Sequence, residues 1–165
     1  MSSASTPLDW SVGLLKLIKD NYSITTGSNP ITWKNNVKFT TGWYQEQLGT
    51  PQISITPLVE PFRMISIGSS PTYFVNRIMQ LHIWVRPPTE SNTSLGRAKD
   101  ARYQIAQEVE RILRSGSTQL EGIEFMRINE NFSRENLGIR PPMLITEMRI
   151  NLYDFRSSNK NALGS

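Results

Sequence analysis

The sequence contains no cysteine among its 165 residues. This absence excludes disulfide bonds, thiolate nucleophiles and cysteine metal ligands, and it agrees with a reducing compartment. The single histidine, His82, lies in the middle of a predicted strand, where a structural role is favoured over a catalytic one. The chain also lacks the residue spacings of zinc proteases, EF-hands, phosphate-binding loops, dinucleotide-binding loops and nucleophile elbows. The sequence therefore predicts a protein that is not an enzyme and that holds no cofactor and no metal.

Long apolar runs are also missing. No run approaches the roughly 20 residues that a membrane-spanning helix needs. The first ten residues, MSSASTPLDW, have neither a basic region nor an apolar region of the kind found in secretory signals. We therefore expect a protein with no membrane partner.

Neither positive nor negative charge strongly dominates this sequence. The net charge is +4, and acidic and basic residues alternate along a predicted helix at 97–114. Dedicated DNA-binding proteins usually concentrate positive charge on one surface, so the mixed signs favour a solvated helix face. A nucleic-acid-binding α+β domain stays a less favoured alternative, in which Trp84 and Tyr153 would stack on bases without the usual spacing of RNA-binding motifs.

The clearest positive signal is a strand followed by a helix. From 73 to 86, apolar residues alternate with polar ones, which is typical of a strand with one buried face. The helix at 97–114 is expected to begin near Ser94, as its N-cap, and to end at Gly116. Its apolar residues recur on one face, as in a helix that packs on a sheet: Ala98, Ala101, Ile105, Val109, Ile112 and Leu113.

The remaining segments complete the order helix, strands, helix, strands. A first helix is predicted at 6–20, with Val12, Leu15 and Ile18 on its buried face, and further strands at 52–59 and 62–68. Clustered strands with separate helices predict an α+β fold, with a mainly antiparallel sheet and two helices packed on one face. We expect a single domain over residues 1–156, followed by a disordered polar tail at 157–165.

The segment 21–51 is rich in Gly, Asn, Thr and Pro, which indicates turns and irregular chain. Short strands are predicted at 31–34 and 37–41. Four aromatic residues are concentrated in this segment: Trp33, Phe39, Trp43 and Tyr44. Two interpretations are equally favoured, namely that these aromatics cover one edge of the core or that they pack on a neighbouring subunit.

The last third is predicted as a strand at 122–130, a loop at 131–142 and a strand at 143–155. The loop carries Arg134 and Arg140 beside a double proline. The sheet face away from the helices is expected to be semi-polar around Trp84 and to meet water or a partner.

This order of elements resembles the tail terminator and tail-completion (neck) proteins of long-tailed phages. The resemblance rests on a strand that ends IWVRPP, a polar loop, the helix GRAKDARYQIAQEVERIL and the closing strand MLITEMRINLYDF. It covers residues 73–155 and, more loosely, the first helix. The long segment at 21–51 departs from the compact members of that group.

The resemblance implies a virion structural protein that assembles into a homo-oligomeric ring, typically a hexamer. Such a ring caps the head-proximal end of the tail tube, ends tube polymerisation and joins the tail to the head–tail connector protein, while DNA passes through its lumen without sequence-specific binding. The implied location is the virion neck, and the host cytoplasm during assembly. Another head–tail connector or a tube-like component is the closest alternative.

A closed ring needs two different patches on each subunit. The candidate patches are the aromatic segment 21–51 and the sheet face around Trp84, and the candidate subunit-interface residues are Trp33, Phe39, Trp43, Tyr44 and Trp84. The loop 131–142, with Arg134 and Arg140, is expected to project to a tube or connector partner or into the lumen.

Overall fold

Over the residues that the structure describes, a six-stranded sheet and two helices form the fold. The computed structural model describes residues 10–24, 37–42, 48–59, 62–64, 72–116, 123 and 125–157. In chain order the elements are α1 (Trp10–Asn21), β1 (Lys38–Thr41), β2 (Gln52–Val59), β3 (Phe62–Met64), β4 (Thr72–Val85), α2 (Asn92–Ser115), β5 (Phe125–Asn136) and β6 (Met143–Ser157).

The two longest strands, β4 and β6, form the centre of the sheet. The strand order is β1-β2-β4-β6-β5, and β3 pairs with the first part of β4. Only β1 and β2 are parallel; the other pairs are antiparallel. The strands alternate in side-chain direction, so one sheet face is apolar and the other largely polar.

Both helices pack on the apolar face. Leu14 and Ile18 of α1 and the apolar stripe of α2 share one core with β2, β4, β5 and β6. The predicted α+β class, with a mainly antiparallel sheet and helices on one face, is therefore confirmed. The predicted buried face of α1 is confirmed at Ile18, and Leu15 packs against the core, but the prediction was wrong for Val12, which is 51% exposed; the fully buried Leu14 lies closer to the centre of that face.

The ends of α2 are set by polar contacts. The N-cap is Ser91, whose hydroxyl accepts a hydrogen bond from the backbone N–H of Ser94 at 3.2 Å. The prediction of Ser94 as the N-cap was wrong by three residues, since a serine stands at both positions and the helix takes the earlier one. The stop at Gly116 is confirmed, because its N–H donates to the carbonyl of Ile112 at 2.8 Å.

A carboxylate joins the end of α1 to α2. Glu108 accepts hydrogen bonds from the backbone N–H of Ser23 at 3.0 Å and from the guanidinium of Arg111 at 2.7 and 2.9 Å. The hydrogen bond from Arg111 lowers the pKa of Glu108, against the opposing effect of burial. Burial, followed by the Glu108 charge, raises the pKa of the nearby Tyr22 phenol.

We expect Glu108→Gln to lower the free energy of unfolding by about 1–3 kcal/mol near pH 7, because it removes a buried charge-assisted acceptor. Since the folded-state pKa of Glu108 is depressed, its contribution is complete above the unfolded pKa of about 4.3 and is lost as the pH falls through the folded value. Denaturant unfolding from pH 7 to pH 3 should therefore show the variant and the original chain converging.

Glu110→Gln is the matched control on the same helix, because its partner Arg114 is largely exposed. It should change the free energy of unfolding by less than about 0.5 kcal/mol. An equal loss in both variants would contradict the assignment to the α1–α2 junction.

Candidate subunit interface

The aromatic segment is described only in part. Trp33, Trp43 and Tyr44 lie outside the described residues, as does the predicted strand at 31–34. Phe39 lies on β1, is half-buried and packs against the main core. Its ring meets Tyr22 edge-to-face, with ring centroids 5.7 Å apart. Phe39 therefore helps to cover one edge of the core, as the first of the two interpretations predicted.

Trp84 is not a surface residue of the subunit. It lies on the sheet face away from the helices, as predicted, but it is only 6% exposed. Its indole N–H donates to the Ser54 hydroxyl at 2.8 Å, and it forms a small cluster with Met143, Ile145 and Ile139. The expectation that Trp84 offers a docking surface was wrong, because the indole is already packed within its own subunit.

A row of polar side chains crosses the sheet beside Trp84. The strand register places Ser54 opposite His82, and His82 opposite Glu147. Such a row resembles a serine–histidine–acid arrangement, and it was not predicted because it depends on pairing between distant strands. Ser54 is fully buried and its oxygen already accepts from Trp84, so it has no access to a substrate. The row therefore has the properties of a buried polar layer.

His82 is buried and stacked. Its ring lies 5.0 Å from the Trp84 ring, and its Nε2 atom is 3.6 Å from Glu147 Oε1. Burial lowers the pKa of His82 below its usual value; the Glu147 charge opposes this effect, and the Arg134 charge adds to it. The imidazole is therefore neutral at pH 7, which suits the structural role predicted for it.

Arg134 lies on β5 and not in a loop. The predicted loop at 131–142 was too long, because β5 continues to Asn136 and the connection to β6 covers only 137–142. The guanidinium of Arg134 binds the buried Glu147 carboxylate, with nitrogen–oxygen distances of 2.6 and 3.0 Å. Its side chain is still more than half exposed, so it can take a second partner.

Arg140 projects from the turn between β5 and β6. Its side chain is 82% exposed and lies 3.6 Å from Glu90 of the loop before α2. The turn is held in place by the buried Arg86, which donates to the backbone carbonyls of Arg140 and Pro141, each at 3.0 Å. Arg140 is therefore an exposed cation on an anchored turn, which is consistent with the partner contact predicted for it.

The predicted interface residues do not form one patch. Arg134 and Arg140 lie on the β5–β6 hairpin, Phe39 lies at the opposite edge of the sheet, and Trp84 is internal. Sequence reasoning missed the edge of β5 itself, where Glu130 to Gly138 are exposed without interruption. Its sequence from 131 to 136, NFSREN, is polar, has low strand propensity and shows no apolar alternation, so it was interpreted as part of a loop.

Two kinds of feature are absent from the described residues. Among the described residues, no group of three histidine, aspartate or glutamate side chains is arranged to hold a metal ion. No helix in the same part of the chain is long and apolar enough to cross a membrane.

No protein-family model matches the chain, and no curated protein matches it.

Proposed function

We propose that this protein is a virion assembly protein, a tail terminator that forms a ring at the head-proximal end of a phage tail tube. The ring ends tube polymerisation and joins the tail to the head connector. Its most direct support is the order of elements. The long strand β4 leads into the sequence IWVRPP, and helix α2 follows and packs on the sheet to give a two-layer α+β subunit. The closing hairpin then carries the strand MLITEMRINLYDF.

The charge distribution supports a lumen through which DNA passes freely. Three basic residues of α2 are engaged by acids: Lys99 with Glu135, Arg111 with Glu108 and Arg114 with Glu110. Paired cations neutralise few phosphates, so they favour weak and non-specific contact with DNA. This pairing weighs against the alternative of a dedicated nucleic-acid-binding domain.

The two edges of the sheet support head-to-tail assembly. The sheet ends in β1 on one side and in β5 on the other, so opposite sides of a subunit present different surfaces. Ring closure requires such non-identical patches. Phe39 belongs to the first side, and the exposed Arg140 in the turn at 137–142, beyond the end of β5, belongs to the second.

The test is an absolute mass by light scattering over a concentration series, with negative-stain images of the largest species. We expect a closed ring whose hole admits a DNA duplex. Since such a ring can need its template, the same measurement is repeated with purified tail tubes. The proposal would be contradicted if the protein formed no ring by itself and also failed to cap the purified tail tubes.

We expect Trp33→Ala and Trp43→Ala to reduce ring formation while the subunit stays folded, because the proposal places both side chains against a neighbouring subunit. The measurement is mass by light scattering beside thermal unfolding of each variant. Trp84→Ala is the contrasting variant, since Trp84 is buried and its loss should lower stability instead. If both Trp33→Ala and Trp43→Ala unfold the subunit, these tryptophans belong to the core.

A further inference from the structure

In the part of the chain that the structure describes, strand β5 is an edge of the sheet. Among the described residues it pairs with β6 only, and it is the last strand in the sheet order. Its second half is exposed on both faces, including Phe132 at 48%. An edge strand of this length presents a row of unpaired backbone N–H and carbonyl groups, which is a template for another strand.

Helix α2 contacts the second half of β5 through two side chains, since Arg102 donates to the carbonyl of Arg134 at 3.4 Å and Lys99 pairs with Glu135 at 3.1 Å. A groove of about 330 Å³ lies between α2 and β5, with Tyr103 and Gln107 on the helix side and Asn131 and Ser133 on the strand side. The groove separates the helix from Asn131 and Ser133, so a strand that added to β5 would continue the sheet beside α2. Only the Arg102 side chain, among the described contacts of α2 with the β5 backbone, would meet that strand, at the Arg134 carbonyl.

The side chains of β5 indicate which strand would add. Pairing with β6 places Glu130 and Phe132 opposite Arg149 and Glu147, on the face away from the helices. Arg134 follows by alternation on the same face. The sequence Glu-x-Phe-x-Arg is self-complementary in an antiparallel pair, because the acid of one copy stands opposite the base of the other.

We propose that β5 of one subunit pairs antiparallel with β5 of a second copy of this chain, centred on Phe132, to form a two-fold dimer with a continuous sheet. The two Phe132 rings then face each other across the dyad. Glu130 of each copy lies opposite Arg134 of the other, and Asn131 lies opposite Ser133 on the helix-bearing face. Opposite charges and paired aromatic rings at directly opposed positions both stabilise strand pairing.

The ion pairs within each subunit extend across this contact. Glu130 already lies 3.3 Å from Arg149, and Arg134 binds Glu147. In the dimer, each Glu130 carboxylate lies between Arg149 of its own subunit and Arg134 of the other. Charges of alternating sign therefore continue from β6 of one copy into β5 of the next.

Neighbouring registers are less favourable. A dyad centred on Glu130 or on Arg134 places two like charges directly opposite each other, which destabilises strand pairing. A dyad centred on Asn131 places Glu130 opposite Phe132 and leaves its charge without a partner across the dyad. The charge pattern therefore selects Phe132 as the centre.

This contact is independent of the proposed ring. It is isologous and closes after two copies, whereas a ring is built from a heterologous contact repeated around an axis. Mass therefore distinguishes a dimer through β5 from a ring through other patches, and so does the effect of substitutions in β5.

The test reverses one charge at a time. In Glu130→Arg the opposed positions are both basic, and in Arg134→Glu they are both acidic, so each variant should raise the dissociation constant of the dimer about tenfold or more. An equimolar mixture restores both opposite-charge pairs across the dyad and should restore association. Val12→Asp is the control, since Val12 is 51% exposed on α1, away from β5, and should leave association unchanged.

The measurement is sedimentation equilibrium of the full chain over a concentration series, with circular dichroism to verify folding. If either charge variant is unfolded, Phe132→Asp and Phe132→Lys provide the same test, because each alone opposes like charges and the mixture opposes unlike ones. Recovery only in the mixtures supports the proposal. A chain that is monomeric throughout, a mass that neither variant changes, or an equal effect of Val12→Asp would overturn it.

Discussion

Trp84→Ala is expected to lower the free energy of unfolding by about 3–5 kcal/mol, because it removes a large buried side chain and leaves a cavity. The indole packs with Met143 and Ile145 on the polar sheet face and stacks on His82. The Ser54 hydroxyl, which is fully buried, would also lose its donor. A loss of this size is a large fraction of the stability of an ordinary domain, about 5–15 kcal/mol.

Urea unfolding of Trp84→Ala and Trp84→Phe separates the contribution of indole packing from that of the hydrogen bond to Ser54. The phenylalanine variant keeps most of the packing and loses the hydrogen bond, so its loss should be about 1–2 kcal/mol. If Trp84→Ala kept its stability and lost only the ability to assemble, the indole would belong to an interface after all.

Ile105→Ala is expected to lower the free energy of unfolding by about 2–5 kcal/mol. Ile105 lies at the middle of the apolar stripe of α2 and is almost completely buried against the sheet. The helix has little apolar surface other than this stripe, so its position depends on a few such contacts. Truncation leaves a cavity that the β4–β6 centre of the sheet, which is closely packed, fills only in part.

The matched control is Tyr103→Ala, two residues earlier on the same helix and 63% exposed. Its effect should be below about 0.5 kcal/mol, since exposed side chains contribute little to stability. Urea unfolding followed by far-UV circular dichroism measures both variants. Because alanine has a higher helix propensity than either residue, equal losses would contradict the assignment of the effect to core packing by Ile105.

The candidate site was predicted less well than the fold. Arg140 is exposed on a turn, as its neighbouring prolines suggested, whereas Arg134 belongs to a strand whose polar residues have low strand propensity. That strand exists because its backbone pairs with β6 from Phe125 to Asn136, with one register shift between Ile128 and Glu130. Backbone pairing with a distant segment leaves no periodic apolar signal in the strand that receives it.

The sequence by itself determined which faces of β4 and α2 are buried and hence the α+β class, because burial on one side imposes a period of two on a strand and of about 3.6 on a helix. The tertiary structure decided three other features: the length of β5, the burial of Trp84, and the contact of His82 and Arg134 with Glu147. Each depends on the register between strands that are far apart in the chain. Register is set by the summed packing and hydrogen bonding of the whole sheet, so no local pattern of residues encodes it.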